Sequence, residues 1–184
     1  VRGIGKTTTA RLLARSLNYE TETINEPNID MLELGKHCLE IMESRHIDVI
    51  EMDAASRTGI ADIREIIDSV NYSPSSARCK IYIIDEVHML SKAAFNGLLK
   101  TLEEPPPHVK FIFATTEVQK IPLTILSRCQ RFDLKRFDHD MIKLLINKVC
   151  EKEMVSIEDP IIDLIAKASG GSARDSLSLL DQAM

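Results

Sequence analysis

Three short apolar runs, at 48–52 (DVIEM), 80–84 (KIYII) and 109–115 (VKFIFAT), constrain the fold of this chain more than any other feature. A strand with one face in water alternates apolar and polar residues. These runs are nearly unbroken, so they read as strands covered on both faces. Helical periodicity fills the intervals. Ala10, Leu13 and Leu17 recur at helical spacing in 7–18, and Ile60, Ile63, Ile66, Ile67 and Val70 share one side of 59–70. Ser91 is a natural cap for a helix running to about residue 104, with Ala94, Phe95, Leu98, Leu99 and Leu102 on its inner side. Pro105, Pro106 and Pro107 end that helix, because proline lacks the N–H donor and clashes with the preceding turn. Strands alternating with helices predict an α/β fold with a parallel sheet covered by helices on both faces. From Phe137 onward the pattern is helical only, at 138–151, 160–169 and 173–184, so a second, helical domain is expected there. Residues 19–46 are polar and acidic, with a weak helical tendency over 31–44.

No apolar run approaches the roughly 20 residues that a helical membrane span requires. Nothing at the start resembles a signal peptide. The net charge of −5 excludes a general electrostatic grip on nucleic acid; any such contact needs a local patch or an assembly of subunits. Cys38, Cys79, Cys129 and Cys150 are widely spaced without a C-x-x-C pair, which argues for reduced thiols in a cytoplasmic protein rather than a disulfide framework or zinc site.

Chemistry enters at the amino end. Gly3-Ile4-Gly5-Lys6-Thr7-Thr8 precedes a helix and matches the second half of G-x-x-x-x-G-K-[ST], whose first glycine would fall one residue before Val1. The chain is therefore expected to be a fragment that begins inside its own motif. Glycines let the backbone close around a phosphate, and the N–H groups at the helix start point at it. Lys6 would reach the β- and γ-phosphates, and the Thr7 hydroxyl would coordinate Mg²⁺. Taken alone, the same residues also read as a glycine turn that caps a helix, with Lys6 solvated. The run Ile81–Ile84 ends in Asp85 and Glu86. Ligands of a parallel sheet lie beyond the carboxyl ends of its strands, so Asp85 can support Mg²⁺ through its waters while Glu86 orients and activates an attacking water. An Asp-Glu pair can also merely start a turn, but the two motifs in this order make one nucleotide site.

The stretches Asp85-Glu86-Val87-His88-Met89-Leu90-Ser91, Leu98-Leu99-Lys100-Thr101-Leu102-Glu103-Glu104-Pro105-Pro106, Asp53-Ala54-Ala55-Ser56-Arg57-Thr58, Thr124-Ile125-Leu126-Ser127-Arg128-Cys129 and Gly171-Ser172-Ala173-Arg174-Asp175 closely resemble the clamp-loader ATPases of bacterial DNA polymerase III, of the gamma/tau type. The resemblance runs nearly end to end. It implies a P-loop AAA+ fold: a nucleotide-binding α/β domain at 1–136 lacking its first strand, then a truncated helical lid at 137–184. It implies ATP and Mg²⁺ as ligands. Its implied partners are other clamp-loader subunits in a hetero-oligomeric ring, the sliding clamp and primer–template DNA, with no membrane. Polymerase chemistry would belong to a different subunit of the holoenzyme. By the same resemblance Arg128 is the arginine finger for a neighbouring subunit's ATP, Arg174 a sensor of the γ-phosphate of its own ATP, and Thr116 the polar sensor near the attacking water, with Thr115 as the alternative. On residue type alone, Arg128 is equally a surface arginine and Arg174 a charged residue in a first helical turn.

One departure stands out. The family carries a four-cysteine zinc module where this chain has 19–46, and here only Cys38 remains, with Tyr19 in the first cysteine position. One thiolate cannot hold a structural zinc, so none is expected, and Met31, Leu32, Leu34 and Leu39 are expected to pack the insert instead. His88 reads as structural or as an interface residue, and Arg57 as a loop arginine either near DNA or solvated. Two rival functions remain in view: a clamp-loader scaffold that has lost hydrolysis, and another AAA+ DNA-processing motor.

Overall fold

The computed structural model describes residues 2–184; Val1, which the motif reading placed inside the phosphate-loop pattern, lies outside them. In chain order the elements are α1 (Lys6–Leu17), α2 (Cys38–Met42), β1 (Val49–Asp53), α3 (Ile60–Val70), β2 (Lys80–Asp85), α4 (Lys92–Glu103), β3 (Val109–Phe113), α5 (Leu123–Leu126), α6 (His139–Glu153), α7 (Asp159–Ala168) and α8 (Ala173–Ala183). The chain divides into two compact units. One is Thr7–Arg131, and the other is Phe132–Met184 with the described residues before Thr7.

The larger unit is built on a parallel sheet in the order β1-β2-β3, with Asp53 in register beside Asp85. The side chains of β2 point alternately to its two faces, and both faces are covered. Ile81 and Ile83 pack with Ala10 and Ala14 of α1 and Ile41 of α2. Tyr82 and Ile84 pack with Ile63, Ile66 and Val70 of α3 and with Ala94, Phe95 and Leu98 of α4. The unbroken apolar run of β2 thus has its physical cause: a central strand between two helical layers. The Ser91 hydroxyl accepts the Ala94 N–H and caps α4. β3 ends at Phe113, two residues short of the apolar run, although the Ala114 N–H still donates to the Ile84 carbonyl (2.9 Å).

The Asp48 carboxylate, just before β1, ties down the connection into β2. It is 1 % exposed and accepts the N–H groups of Ser75 (2.7 Å), Ser76 (2.7 Å) and Ala77 (2.9 Å). Burial alone pushes this carboxyl up, but the backbone donors outweigh it and hold it below the usual carboxylate range. A depressed acid stabilises the fold above its unfolded-state pKa and loses that contribution as pH falls through the folded value. Asp48→Asn must turn an NH₂ group toward one of these donors, so it should cost about 2–3 kcal/mol at pH 7. Urea unfolding checks this: the gap between wild type and variant should narrow below roughly pH 4, and a gap independent of pH would show that the charge is irrelevant.

The insert departs from expectation in two ways. Its helix shrinks to Cys38–Met42, because Gly35 lies against the Tyr19 ring and the Glu20 carbonyl, where a Cβ would approach that oxygen to 2.9 Å. The expected leucines do not hold it: Leu32 is 94 % exposed, and Leu34 and Leu39 are also exposed. Tyr19, Cys38 and Ile41 are buried instead, and the Tyr19 hydroxyl donates to the Glu33 carbonyl (3.1 Å). Two buried histidines complete the anchor. The Asp48 N–H donates to His46 Nδ1 (3.0 Å), so His46 Nε2 carries the proton and donates to His37 Nδ1 (2.9 Å). Burial pushes the His46 imidazole below its ordinary pKa.

In the smaller unit, α6, α7 and α8 bury Ile142, Ile146, Cys150, Ile162, Ile165 and Leu180 against one another. Asp138 caps α6 by accepting the Met141 N–H (2.8 Å), and Ser172 caps α8 by accepting the Asp175 N–H (3.2 Å).

Candidate nucleotide site

The glycine turn is shaped by backbone that only glycine adopts without strain. Gly3 and Gly5 have φ of 69° and 86°. A Cβ on Gly3 would lie 2.1 Å from the Ser172 hydroxyl oxygen, so the first glycine is also required by close approach. The Gly3 carbonyl accepts the N–H of Ala173 (2.9 Å) and is 3.4 Å from the Arg174 N–H, which ties the turn to the first residues of α8. Arg174 itself is exposed. Lys6 and Thr7 open α1, whose first turn contains no acidic residue.

At the sheet, α1 and β2 meet through chemistry as well as packing. The Thr7 hydroxyl hydrogen-bonds to the Asp85 carboxylate, joining the start of α1 to the end of β2 across 78 residues of sequence. Arg11, one turn further along α1, donates to both oxygens of Glu51 on β1 (2.8 and 2.7 Å) and holds that carboxyl below its ordinary pKa. This bidentate pair fixes α1 against the sheet beside Asp85, whose charge both partners feel. Neither Arg11 nor Glu51 was singled out from the sequence, although a lone acid inside the apolar DVIEM run was a visible signal.

Glu86 occupies the left-handed region (φ 46°, ψ 42°), which is unusual for a residue with a Cβ. Its N–H donates to Asp85 Oδ1 (2.8 Å). One Glu86 oxygen, Oε2, accepts both the hydroxyl (2.9 Å) and the N–H (3.2 Å) of Thr116. Thr115, the alternative sensor, faces His88 instead. Arg128, just beyond α5, pairs with the Glu103 carboxylate and donates to the Thr124 carbonyl (2.6 Å). Within the larger unit, Thr7, Asp85, Glu86 and Thr116 are therefore linked through shared contacts, and Arg128 belongs to a separate surface pair. Arg57 is exposed in the loop after β1.

A hydroxyl beside a carboxylate is a hard-oxygen donor set that suits Mg²⁺, which keeps water and phosphate oxygens as its remaining ligands. Among the described residues no cluster of three or more His, Cys, Asp or Glu could hold a metal without such help.

Comparison with known proteins now decides the family. A family model described as DNA polymerase III, delta subunit, matches residues 1–138. A second, described as DNA polymerase III clamp loader subunit, ATPase lid domain, matches residues 141–184. The chain belongs to the DNA polymerase III clamp-loader family. Within it the similarity runs to tau and gamma subunits. The chain is 50 % identical over 183 residues to DNA polymerase III subunit tau of Escherichia coli, covering 100 % of this chain and 28 % of that one. Against subunit tau of Bacillus subtilis the identity is again 50 %, with 100 % and 32 % covered. Against subunit gamma of Buchnera aphidicola from Acyrthosiphon pisum it is 48 %, with 100 % and 50 % covered. This chain thus spans half or less of the length of these relatives.

Solved structures share the fold. The Thermotoga maritima RuvB Holliday junction branch migration motor superimposes with a TM-score of 0.67 at 21 % identity, over 98 % of this chain and 50 % of that one. A DNA polymerase III gamma subunit-related protein from the same species gives 0.58 at 22 %, over 95 % and 57 %. The chain has the AAA+ fold, an α/β unit with a parallel sheet flanked by helices, and a helical lid-like part. Among the described residues no helix is long and apolar enough to cross a membrane.

Proposed function

We propose that this chain is the ATP-binding and ATP-hydrolysing portion of a clamp-loader motor subunit, working in the cytoplasm as part of the replicative polymerase holoenzyme without polymerase chemistry of its own. The observation that carries the reading is the Thr7–Asp85 hydrogen bond, which brings the residue after Lys6 to the acidic end of β2. In this reading the nucleotide domain is residues 1–136 and the lid is 137–184. The N–H groups of Gly3, Ile4, Gly5, Lys6, Thr7 and Thr8 receive the phosphates, and the Lys6 ammonium pairs with the β- and γ-phosphate oxygens. Thr7 and Asp85 hold Mg²⁺, which when bound neutralises charge on the phosphates. Glu86 orients the attacking water and takes up its proton, while Thr116 fixes the Glu86 carboxylate. Arg174 contacts the γ-phosphate of the chain's own ATP. Arg128 serves a neighbouring subunit.

The assembled ring would use ATP binding to open the sliding clamp and grip primer–template DNA, and hydrolysis to release the closed clamp. Retention of Lys6, Thr7, Asp85 and Glu86 speaks against a scaffold that has lost hydrolysis, and the 50 % identity to tau subunits favours clamp loading over branch migration. The test is the ATPase rate of the full-length protein in its complete assembly. Sliding clamp and primed DNA together should raise it at least about tenfold, which lowers the barrier by roughly 1.4 kcal/mol or more. Stimulation by branched DNA but not by the clamp would replace this reading with the branch-migration one.

A further inference from the structure

His88 is held between two carboxylates, and the function proposed above does not use it. The ring belongs to a short 3-10 turn, Val87–Met89, that follows Glu86, and its side chain is only 6 % exposed. The turn is pinned at both ends: the Val87 N–H donates to the Ala114 carbonyl (3.0 Å) and the Met89 N–H to the Glu86 carbonyl (2.8 Å). The ring nitrogens face opposite partners. Nδ1 lies 3.3 Å from Glu86 Oε2 and 3.0 Å from the Thr115 hydroxyl. Nε2 lies 3.3 Å from Glu117 Oε1. The far side of this arrangement is itself fixed, because the Glu117 N–H donates to the Thr115 hydroxyl (3.0 Å) and Glu117 Oε2 pairs with Lys120 (2.9 Å). The oxygen that Nδ1 approaches is the one that accepts from Thr116.

We propose that His88 is a positioning residue for Glu86: the imidazole braces the Glu86 carboxylate against the 115–117 turn and so sets the direction from which that carboxylate meets the attacking water. This ring spans from the acid to the turn after β3, with Nδ1 facing Glu86 Oε2 and the Thr115 hydroxyl and Nε2 facing Glu117. Glu86 sits in a left-handed backbone conformation and has a flexible side chain, so its free carboxylate samples many orientations. Contacts from Thr116 on one side and His88 on the other reduce those to one. The inference rests on the assignment of Glu86 as the water-orienting acid.

The experiment compares His88→Ala, His88→Asn, His88→Gln and Glu86→Gln in the full-length protein within its complete assembly, reading kcat, KM for ATP and nucleotide affinity. His88→Ala should lower kcat roughly 10- to 100-fold, the size of effect that a small misplacement of a reacting group produces. KM and nucleotide affinity should stay within about twofold, because Glu86 acts after binding. His88→Asn keeps a donor at the Nδ1 position and should recover most of kcat. His88→Gln places its amide at the Nε2 position and should not. Equal kcat for the Asn and Gln variants, or a His88→Ala kcat within about twofold of wild type, would overturn the inference, provided that Glu86→Gln is strongly impaired. The Asn–Gln comparison decides the matter even if the alanine variant does not fold. Wild-type hydrolysis by Glu86→Gln would instead overturn the assignment of Glu86, and with it the basis for His88.

Discussion

Lys6→Ala in the full-length protein is expected to abolish ATP binding at ordinary nucleotide concentrations, and hydrolysis with it. Lys6 is the first residue of α1, where a cation is unfavourable because the helix dipole presents its positive end there. No acidic residue in that first turn offsets the charge. Each charge-assisted hydrogen bond to a phosphate is worth about 1.5–3 kcal/mol, so losing contacts to two phosphates removes about 3–6 kcal/mol. That corresponds to roughly a 10²- to 10⁴-fold weaker Kd. The substitution also removes a cation from the positive end of the helix dipole, a contribution of a few tenths of a kcal/mol in the opposite direction. Nucleotide titration alongside thermal unfolding separates the two effects. Binding should vanish while the protein without nucleotide still unfolds cooperatively. A Lys6→Ala protein that hydrolyses ATP normally would end the phosphate-loop assignment.

The parts of this molecule that could be read from its sequence are those whose physics is local. The run KIYII announces a strand buried on both faces, and Ile81 and Ile83 indeed face α1 while Tyr82 and Ile84 face α3 and α4. The Ser91 cap and the three prolines after α4 mark their helix because each acts within one turn. The insert was misread for the opposite reason. Its leucines are apolar but stay exposed, and the buried groups are Tyr19, Cys38, Ile41 and two histidines, with Tyr19 reaching the Glu33 carbonyl and His46 reaching His37 across intervals that no periodicity marks. The setting of Glu86 was equally hidden. Two acids at a strand end are visible, but the register that brings Thr116 to Glu86 depends on how β3 lies against β2. Spacing along the chain carries no information about such a pairing.

Arg128→Ala is expected to leave ATP binding intact and to slow hydrolysis by roughly 10³- to 10⁵-fold, but only in the assembled ring. In this chain the Arg128 guanidinium is exposed and paired with Glu103, with a second bond to the Thr124 carbonyl. That pairing does not argue against a role in trans, because the magnitudes are unequal. An exposed ion pair contributes about 1 kcal/mol or less. A guanidinium placed on the developing charge of a phosphoryl transfer supplies about 4–7 kcal/mol, the equivalent of that rate factor. Exchanging Glu103 for a neighbour's triphosphate is therefore favourable once a neighbour is present, and until then the Glu103 contact keeps the arginine on the surface beside α5. Arg128→Lys should recover little, since an ammonium cannot supply the planar, two-pronged donor set. The measurement is hydrolysis by the isolated subunit and by the complete assembly, with nucleotide affinity followed in both. Equal slowing in both forms would refute the action in trans, because a residue that serves only a neighbouring subunit has nothing to serve when none is there.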